Sequence, residues 1–126
     1  MPPARIAQVA QRAEDLDRAV AFYERILGQR VAARFDPPGL AFFVLGSTRL
    51  LLDASAPSAL VYVGVEDVEA SVERLRAEGA VVETEPHVIF RHDDDTLGPA
   101  GADEMMAFIR DSEGNLIGLT STTPGG

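Results

Sequence analysis

The stretch AEDLDRAVAFYERILG, at positions 13–28, decides how the rest of this chain is organised. Its apolar residues recur at spacings of three and four, which predicts a helix with one apolar face. That face comprises Leu16, Ala19, Val20, Tyr23, Ile26 and Leu27. Asp15 is a favourable N-cap, and Gly28 is a favourable residue for ending the helix. The apolar segment before it predicts a strand that leads into this helix.

The same pattern returns 52 residues later, in VEDVEASVERLRAEG at positions 65–79. Asp67 corresponds to Asp15 at that offset, and Gly79 corresponds to Gly28 at an offset of 51. The apolar face of this second helix comprises Val68, Val72 and Leu75. Another apolar segment precedes it. We therefore predict an internal repeat, in which each unit starts with a strand and a helix.

Short strands are predicted after each helix. With the opening strands included, they cover 6–10, 30–35, 40–45 and 48–53 in the first unit, and 60–65, 81–90, 104–110 and 115–121 in the second. The pair Gly46-Ser47 makes a two-residue hairpin turn, which places Phe42 opposite Leu51. The fold class is therefore α+β, with one domain made of two tandem βαβββ units at 4–54 and 58–122.

Length and composition agree with a small globular protein. The chain has 126 residues and 13.5 kDa, with 46% hydrophobic and 25% charged residues. No apolar run approaches the roughly 20 residues that span a bilayer. The segment MPPARIAQVAQ at 1–11 lacks the pattern of a signal peptide. We therefore expect a cytoplasmic protein without a membrane partner.

Two missing residue types exclude several kinds of chemistry. All 11 basic residues are Arg, so neither a Schiff-base lysine nor a phosphate-loop lysine is available. Because the chain has no Cys, it has no disulfide, no thiol nucleophile and no thiolate metal ligand. Imidazole can come only from His87 and His92.

The net charge of −9 is distributed unevenly. Residues 1–56 hold seven Arg against six acidic residues, whereas residues 57–126 hold four Arg against fourteen. No basic face is available for a phosphate backbone, so nucleic acid is not expected as a partner. The acidity either keeps the protein soluble or forms a surface that attracts cationic ligands.

Three strings, taken in order, resemble the vicinal-oxygen-chelate superfamily, which includes glyoxalase I, bleomycin-resistance proteins and extradiol dioxygenases. They are AEDLDRAVAFYERILG (13–28), VEDVEASVERLRAEG (65–79) and FIRDSEGNLIGL (108–119), and the resemblance covers residues 4–122. It implies that the two units form a curled mixed sheet around a central pocket. It also implies a homodimer.

Enzymes of that superfamily hold a divalent ion, which chelates neighbouring substrate oxygens and stabilises an anion such as an enolate. The resemblance implies ligands from the first and last strand of each unit, at positions that fall on Gln8, Leu51, Leu60 and Gly118. Three of these side chains have no donor atom, and a Gln amide oxygen is a weak ligand. We therefore expect no metal ion and no other cofactor.

Alternation along the strands separates a helix-facing side from the opposite side. Val61, Val63 and Val65 are the better candidates for the side against a helix. The opposite side combines apolar, aromatic and a few polar residues, as an organic-ligand pocket does. The candidate ligand-binding residues are Gln8, Phe42, Arg49, Leu51, Leu60, Tyr62, His87, Phe108, Arg110 and Gly118. The pattern alone equally allows a filled core, and the resemblance favours a cavity.

His87 is the candidate catalytic residue. It follows Pro86, which cannot donate to a strand ladder, so it is predicted at a sheet edge or bulge. There it acts as a general base, or it is a structural histidine bonded to backbone. Arg49 and Arg110 either clamp an anionic ligand group or pair with nearby carboxylates. Glu104 is a further possible base, by its position alone.

The segment 91–103 is the longest irregular stretch, and it is either a mobile flap or a solvated surface loop. His92 and the three residues Asp93–Asp95 have the side chains of metal ligands. They lack the alternating spacing and the turn glycine of a calcium loop, so we do not expect a metal site there.

Two functions are consistent with these expectations. The first is metal-independent binding of a small organic ligand, in a protein of the glyoxalase/bleomycin-resistance type that sequesters a drug or metabolite. The second is a lyase, isomerase or dioxygenase-like enzyme, either metal-free with His87 as base or with a relocated metal site. A structural module with a filled concave face is a third possibility.

Overall fold

The computed structural model describes residues 6–124. Its elements are β1 (Gln8–Arg12), α1 (Leu16–Leu27), β2 (Ala33–Phe35), β3 (Leu40–Leu45), β4 (Thr48–Asp53), β5 (Val61–Gly64), α2 (Val68–Ala77), β6 (Val82–Arg91), β7 (Asp103–Arg110) and β8 (Leu116–Thr123). The order strand, helix, three strands occurs twice, which confirms the tandem βαβββ units. Neither α1 nor α2, the helices in this part of the chain, is long and apolar enough to cross a bilayer.

Each set of four strands forms its own mixed sheet. The strand order is β1-β4-β3-β2 in the first sheet and β5-β8-β7-β6 in the second, so the repeat extends to the topology. The opening strand lies parallel to the last one, with Gln8 opposite Arg49 in the first sheet and Val61 opposite Ile117 in the second. The remaining pairings are antiparallel.

The chain divides into two compact units. Among residues 6–124, the first contains residues 6–59 together with Ser112–Asn115, and the second contains Leu60–Asp111 and residues 116–124. The turn between β7 and β8 therefore belongs to the first unit, although the two strands it connects belong to the second.

Helix α1 forms for the reasons read from its sequence. The Asp15 side chain accepts a hydrogen bond from the backbone N–H of Arg18, and Gly28 ends the helix with a left-handed φ of 68°. The helix packs on β3 and β4 and buries Ala19, Val20, Phe22, Tyr23 and Ile26. Phe22 was not predicted, whereas Leu16 and Leu27 at the helix ends are only half-buried because the sheet covers the middle of the helix.

Helix α2 buries the three residues predicted for its apolar face. Val68, Val72 and Leu75 are at most 3% exposed, and they pack with the buried sheet residues Ala107, Ile109, Ile117 and Leu119. Burying each aliphatic side chain contributes about 1.5–3 kcal/mol. Val61 and Val63 lie opposite Ile117 and Leu119, on the helix side of the second sheet, as predicted.

Candidate functional site

The side of the first sheet that lies away from α1, its helix-free face, carries four of the predicted ligand-binding residues. Pairing places Arg49 opposite both Gln8 and Val44, and it places Leu51 opposite Phe42. Phe42 and Leu51 are half-buried, whereas Gln8 and Arg49 are exposed. The face therefore has an apolar centre with a polar pair two residues further along.

The polar pair is a direct hydrogen bond, in which Arg49 Nε donates to Gln8 Oε1 at 2.9 Å. Within residues 6–124, Gln8 is the one hydrogen-bonding partner of the Arg49 side chain. A partner carboxylate was one of the two possibilities raised by the sequence, but the partner found is a neutral amide. The guanidinium charge is consequently not neutralised by this contact.

The helix-free face of the second sheet is built around Gly118. Its neighbour Tyr62, in the parallel strand, lies directly opposite, and Phe108 lies opposite on the antiparallel side. The two aromatic rings meet edge to face with 5.9 Å between their centroids. A Cβ atom at position 118 would lie 2.5 Å from Tyr62 Cδ1 and 3.2 Å from Phe108 Cε1. The Tyr62 ring thus occupies the space of a side chain at 118.

The four positions that correspond to the metal ligands of the enzymes resembled do not fit a metal ion. Leu51, Leu60 and Gly118 supply no donor atom. The amide oxygen of Gln8 accepts from Arg49, and a cation there would be repelled by the guanidinium. Within residues 6–124, His, Asp and Glu side chains form no group of three that could hold a metal ion.

His87 lies on β6, an edge strand of the second sheet, at the irregularity caused by Pro86. Because a carbonyl oxygen can only accept, the His87 Nδ1–H donates to the backbone oxygen of Glu85 at 3.0 Å. Nε2 is then the nitrogen with a lone pair. His87 is exposed and lies opposite Met106.

Two further predicted ligand-binding residues, Arg110 and Leu60, lie at the margins of the helix-free face of the second sheet. The Arg110 Nε donates to Glu83 at 3.1 Å across the β6–β7 pair, so this arginine is neutralised by a carboxylate. Leu60 directly precedes β5 and is 48% exposed.

A buried polar cluster, His92 with Glu104 and Thr120, was missed by the sequence reasoning. The His92 Nε2–H donates to Glu104 Oε1 at 2.7 Å, and the Thr120 hydroxyl donates to Glu104 Oε2. His92 is 4% exposed and Glu104 9%. The sequence held a signal for the contact of His92 with Glu104. These residues directly follow Arg91 and Asp103, which form the last pair of the β6–β7 hairpin. The Thr120 contact depends on the pairing of β7 with β8.

The irregular segment between β6 and β7 is organised around the same histidine. The backbone N–H of His92 donates to Ala102, and its carbonyl accepts from Gly101. The His92 ring lies so close to Gly98 that a Cβ there would be 2.7 Å from its Cε1. Asp94 accepts from the backbone of Thr96. His92 is therefore buried, and its backbone and ring contacts hold this loop in place.

Glu113, in the β7–β8 turn, lies at the start of α1. Its side chain is 1% exposed, and its carboxylate accepts from Arg18 Nε at 2.6 Å and from the backbone N–H of Asp15 at 2.8 Å. Burial raises the pKa of this carboxyl, but hydrogen bonds from Arg18, Asp15 and Ser112 outweigh burial and lower the pKa to about 2. Glu113 completes the N-terminal cap of α1.

Comparison with known proteins places this geometry in a family. The model of the Glyoxalase/Bleomycin resistance protein/Dioxygenase superfamily matches residues 5–119. The chain is similar to the structure of a lactoylglutathione lyase from Agrobacterium tumefaciens, with 27% identity and a TM-score of 0.64 over 95% of each chain. No curated protein matches the sequence.

Two more distant structures share the fold. A virulence protein from Salmonella typhimurium is 22% identical, with a TM-score of 0.68 over 98% of this chain and 100% of that one. Glyoxalase I from Zea mays is 19% identical, with a TM-score of 0.66 over 93% of this chain. This chain corresponds to 44% of the maize enzyme.

Proposed function

The chain belongs to the Glyoxalase/Bleomycin resistance protein/Dioxygenase superfamily, and we propose that it binds a small organic molecule without the help of a metal ion. The ligand is a drug or metabolite that the protein sequesters. The candidate ligand-binding residues lie in each unit separately: Gln8, Phe42, Arg49 and Leu51 in the first, and Leu60, Tyr62, His87, Phe108, Arg110 and Gly118 in the second.

The observation that carries this proposal is the position of the Tyr62 ring over Gly118. A metal-binding carboxylate side chain at position 118 would need the space that the Tyr62 ring occupies. The edge-to-face contact with Phe108 holds the ring in place, and its other side is exposed, since Tyr62 is 49% accessible. An aromatic surface of this kind binds organic molecules by stacking and by excluding water.

Apolar burial supplies the driving force for binding. Phe42 and Leu51 are half-buried on the first helix-free face, and Tyr62 is exposed on the second. Each 100 Å² of apolar surface that a ligand removes from water contributes about 2.5 kcal/mol before the costs of association are subtracted.

The proposal is tested first by native mass spectrometry of the protein purified without chelator. We expect a homodimer without a bound divalent ion, either bare or with the mass of an organic ligand. A stoichiometric divalent ion would contradict metal independence. A protein with a true metal site would be stabilised by roughly 2.7 kcal/mol when Zn²⁺, Ni²⁺ or Mn²⁺ is added at about 100 times its Kd. We expect no such stabilisation, and therefore no increase in the melting temperature.

Ligand binding itself can be followed through tyrosine fluorescence. The chain has two Tyr and no Trp, and Tyr23 is 1% exposed, so a ligand on the second helix-free face changes mainly the Tyr62 signal. We expect Tyr62→Phe to abolish the fluorescence change while calorimetry still detects binding. If a library of small aromatic and aliphatic compounds binds neither protein, the proposed function is wrong.

A metal-free enzyme is the second candidate, and the hydrogen bond of His87 favours it. Because Nδ1–H donates to Glu85, the Nε2 lone pair is left to accept a proton as a general base does. A captured ligand incubated with the protein and with His87→Ala distinguishes the two. A binder leaves the ligand mass unchanged with either protein, whereas an enzyme forms a product that the variant does not.

A further inference from the structure

Arg49 differs from most arginines of this chain in its partner. Arg18, Arg34, Arg76 and Arg110 each lie within 4 Å of a carboxylate oxygen. Arg49 instead donates to the neutral Gln8, and no carboxylate of residues 6–124 lies within ion-pair distance of it. Acidic residues outnumber arginines 20 to 11 in the chain, yet the partner of Arg49 is a neutral amide.

The hydrogen bond to Gln8 orients the guanidinium group. It occupies the Nε–H and leaves the N–H groups of Nη1 and Nη2 available. These two nitrogens form an edge that matches the two oxygens of a carboxylate. Gln8 is thus a positioning residue, and Arg49 is exposed, so an external anion can reach it.

An apolar surface begins next to this edge. Leu51 is two residues from Arg49 on β4, which is a distance of about 7 Å along the strand. Phe42 lies opposite Leu51, and its ring contacts Phe35 edge to face with 5.9 Å between centroids. A ligand that spans both features has a carboxylate separated by two or three carbon atoms from an apolar ring.

We propose that the helix-free face of the first sheet binds aryl-alkanoic acids, with the ligand carboxylate on Arg49 and its ring on Leu51 and Phe42. This proposal rests on the proposed function and names its ligand class. The apolar contacts alone bind a neutral analogue, and the carboxylate adds charge-assisted hydrogen bonds. The site therefore selects an anionic ligand, although the whole protein is strongly acidic.

The test uses three probes with the same ring and chain length, namely 3-phenylpropionate, 3-phenylpropan-1-ol and 3-phenylpropylammonium. Their dissociation constants are measured by calorimetry in about 150 mM salt, so that long-range attraction is largely screened. We expect the carboxylate to bind roughly 10- to 100-fold more tightly than the alcohol. The ammonium compound is expected to bind more weakly than the alcohol, because it faces the Arg49 guanidinium.

Two variants assign this preference to Arg49. Arg49→Gln is expected to bind the carboxylate no better than the alcohol. Arg74→Gln removes the same charge from an exposed position on α2 and is expected to keep the preference. Gln8→Met keeps the charge but not its orientation, and we expect it to lose part of the preference.

Each negative result has a distinct meaning. Equal binding of the acid and the alcohol by the unmodified protein overturns the inference and leaves the proposed function standing. A preference that persists in Arg49→Gln also overturns it. If none of the three probes binds, the inference is wrong, and the Tyr62 fluorescence screen decides separately whether the protein binds other organic ligands.

Discussion

Position 118 in β8 has room for no side chain larger than hydrogen. We predict that Gly118→Ala lowers the free energy of unfolding by about 1–2 kcal/mol, because its Cβ displaces the Tyr62 ring from Phe108. Urea denaturation measures the loss. Gly64→Ala is the control, since a Cβ there meets no atom within 4 Å, and it should cost nothing. The double variant with Tyr62→Ala should remove most of the penalty of Gly118→Ala, and a fully additive result would show that the ring is not responsible.

Gln11 is a polar residue in the core between the first sheet and α1. It is 0% exposed, and its Nε2 donates to the Tyr23 hydroxyl at 3.3 Å. Its Oε1 has no hydrogen-bond partner in the described part of the chain. A buried acceptor without a partner costs about 1–3 kcal/mol, whereas a Met of similar volume has no such group.

We therefore predict that Gln11→Met leaves the free energy of unfolding unchanged or raises it by about 1 kcal/mol. Thermal and urea denaturation test this prediction. Gln8→Met, at an exposed position on the same strand, is the matched control and should change stability by less than about 0.5 kcal/mol. A loss of 2 kcal/mol or more in Gln11→Met would mean that the buried amide stabilises the core.

The start of α1 shows how one element is completed by a residue far away in the chain. In a capping box, the third helical residue reaches back to the N-cap N–H. Here that residue is Arg18, which cannot accept a hydrogen bond. Glu113 takes its place, accepting from the Asp15 N–H and from the Arg18 side chain together. The helix sequence contains only half of its own cap.

Glu113→Gln is predicted to lower the free energy of unfolding by roughly 1.5–3 kcal/mol at pH 7. The pKa of Glu113 is about 2 in the folded protein, below its ordinary value of 4.5. Between these two values the unfolded chain binds a proton that the folded chain does not, so the contribution is complete above about pH 4.5 and disappears as the pH falls to about 2. Urea denaturation of both proteins at pH 7 and at pH 3 measures this convergence.

Glu14→Gln is the matched control for that series. Its side chain is 70% exposed and lies 3.6 Å from Arg12, a surface pair that contributes less than about 1 kcal/mol. The control should differ little from the unmodified protein at either pH. A difference for Glu113→Gln that stays constant from pH 7 to pH 3 would contradict the low pKa.

The charge of the whole chain also affects its stability. With a net charge of −9, the folded state repels itself, and salt screens this repulsion. Raising NaCl from about 10 mM to about 0.5 M is predicted to raise the melting temperature by several degrees, because the excess of like charges outweighs the weak surface ion pairs that salt also screens. KCl should have the same effect at equal ionic strength. A fall in melting temperature would mean that the ion pairs dominate.

The amino-acid sequence was sufficient for those features that depend on neighbours along the chain. The helix caps at Asp15 and Asp67, the end of α1 at Gly28 and the Gly46-Ser47 turn were all predicted, because short-range hydrogen bonds and glycine conformations decide them. Alternation of side chains along the strands separated the helix side from the helix-free side. The repeat of these local patterns was enough to predict two βαβββ units.

Contacts between residues distant in the chain were decided by the tertiary structure. Sheet order brings Arg49 to Gln8 rather than to a carboxylate, and it brings Tyr62 over Gly118. The Thr120 contact with Glu104 and the cap from Glu113 likewise depend on tertiary contacts. The 20 acidic residues outnumber the 11 arginines, so the sequence leaves the partner of each arginine open. Strand pairing and side-chain packing select one partner, since only they decide which polar groups lie within hydrogen-bonding distance and away from water.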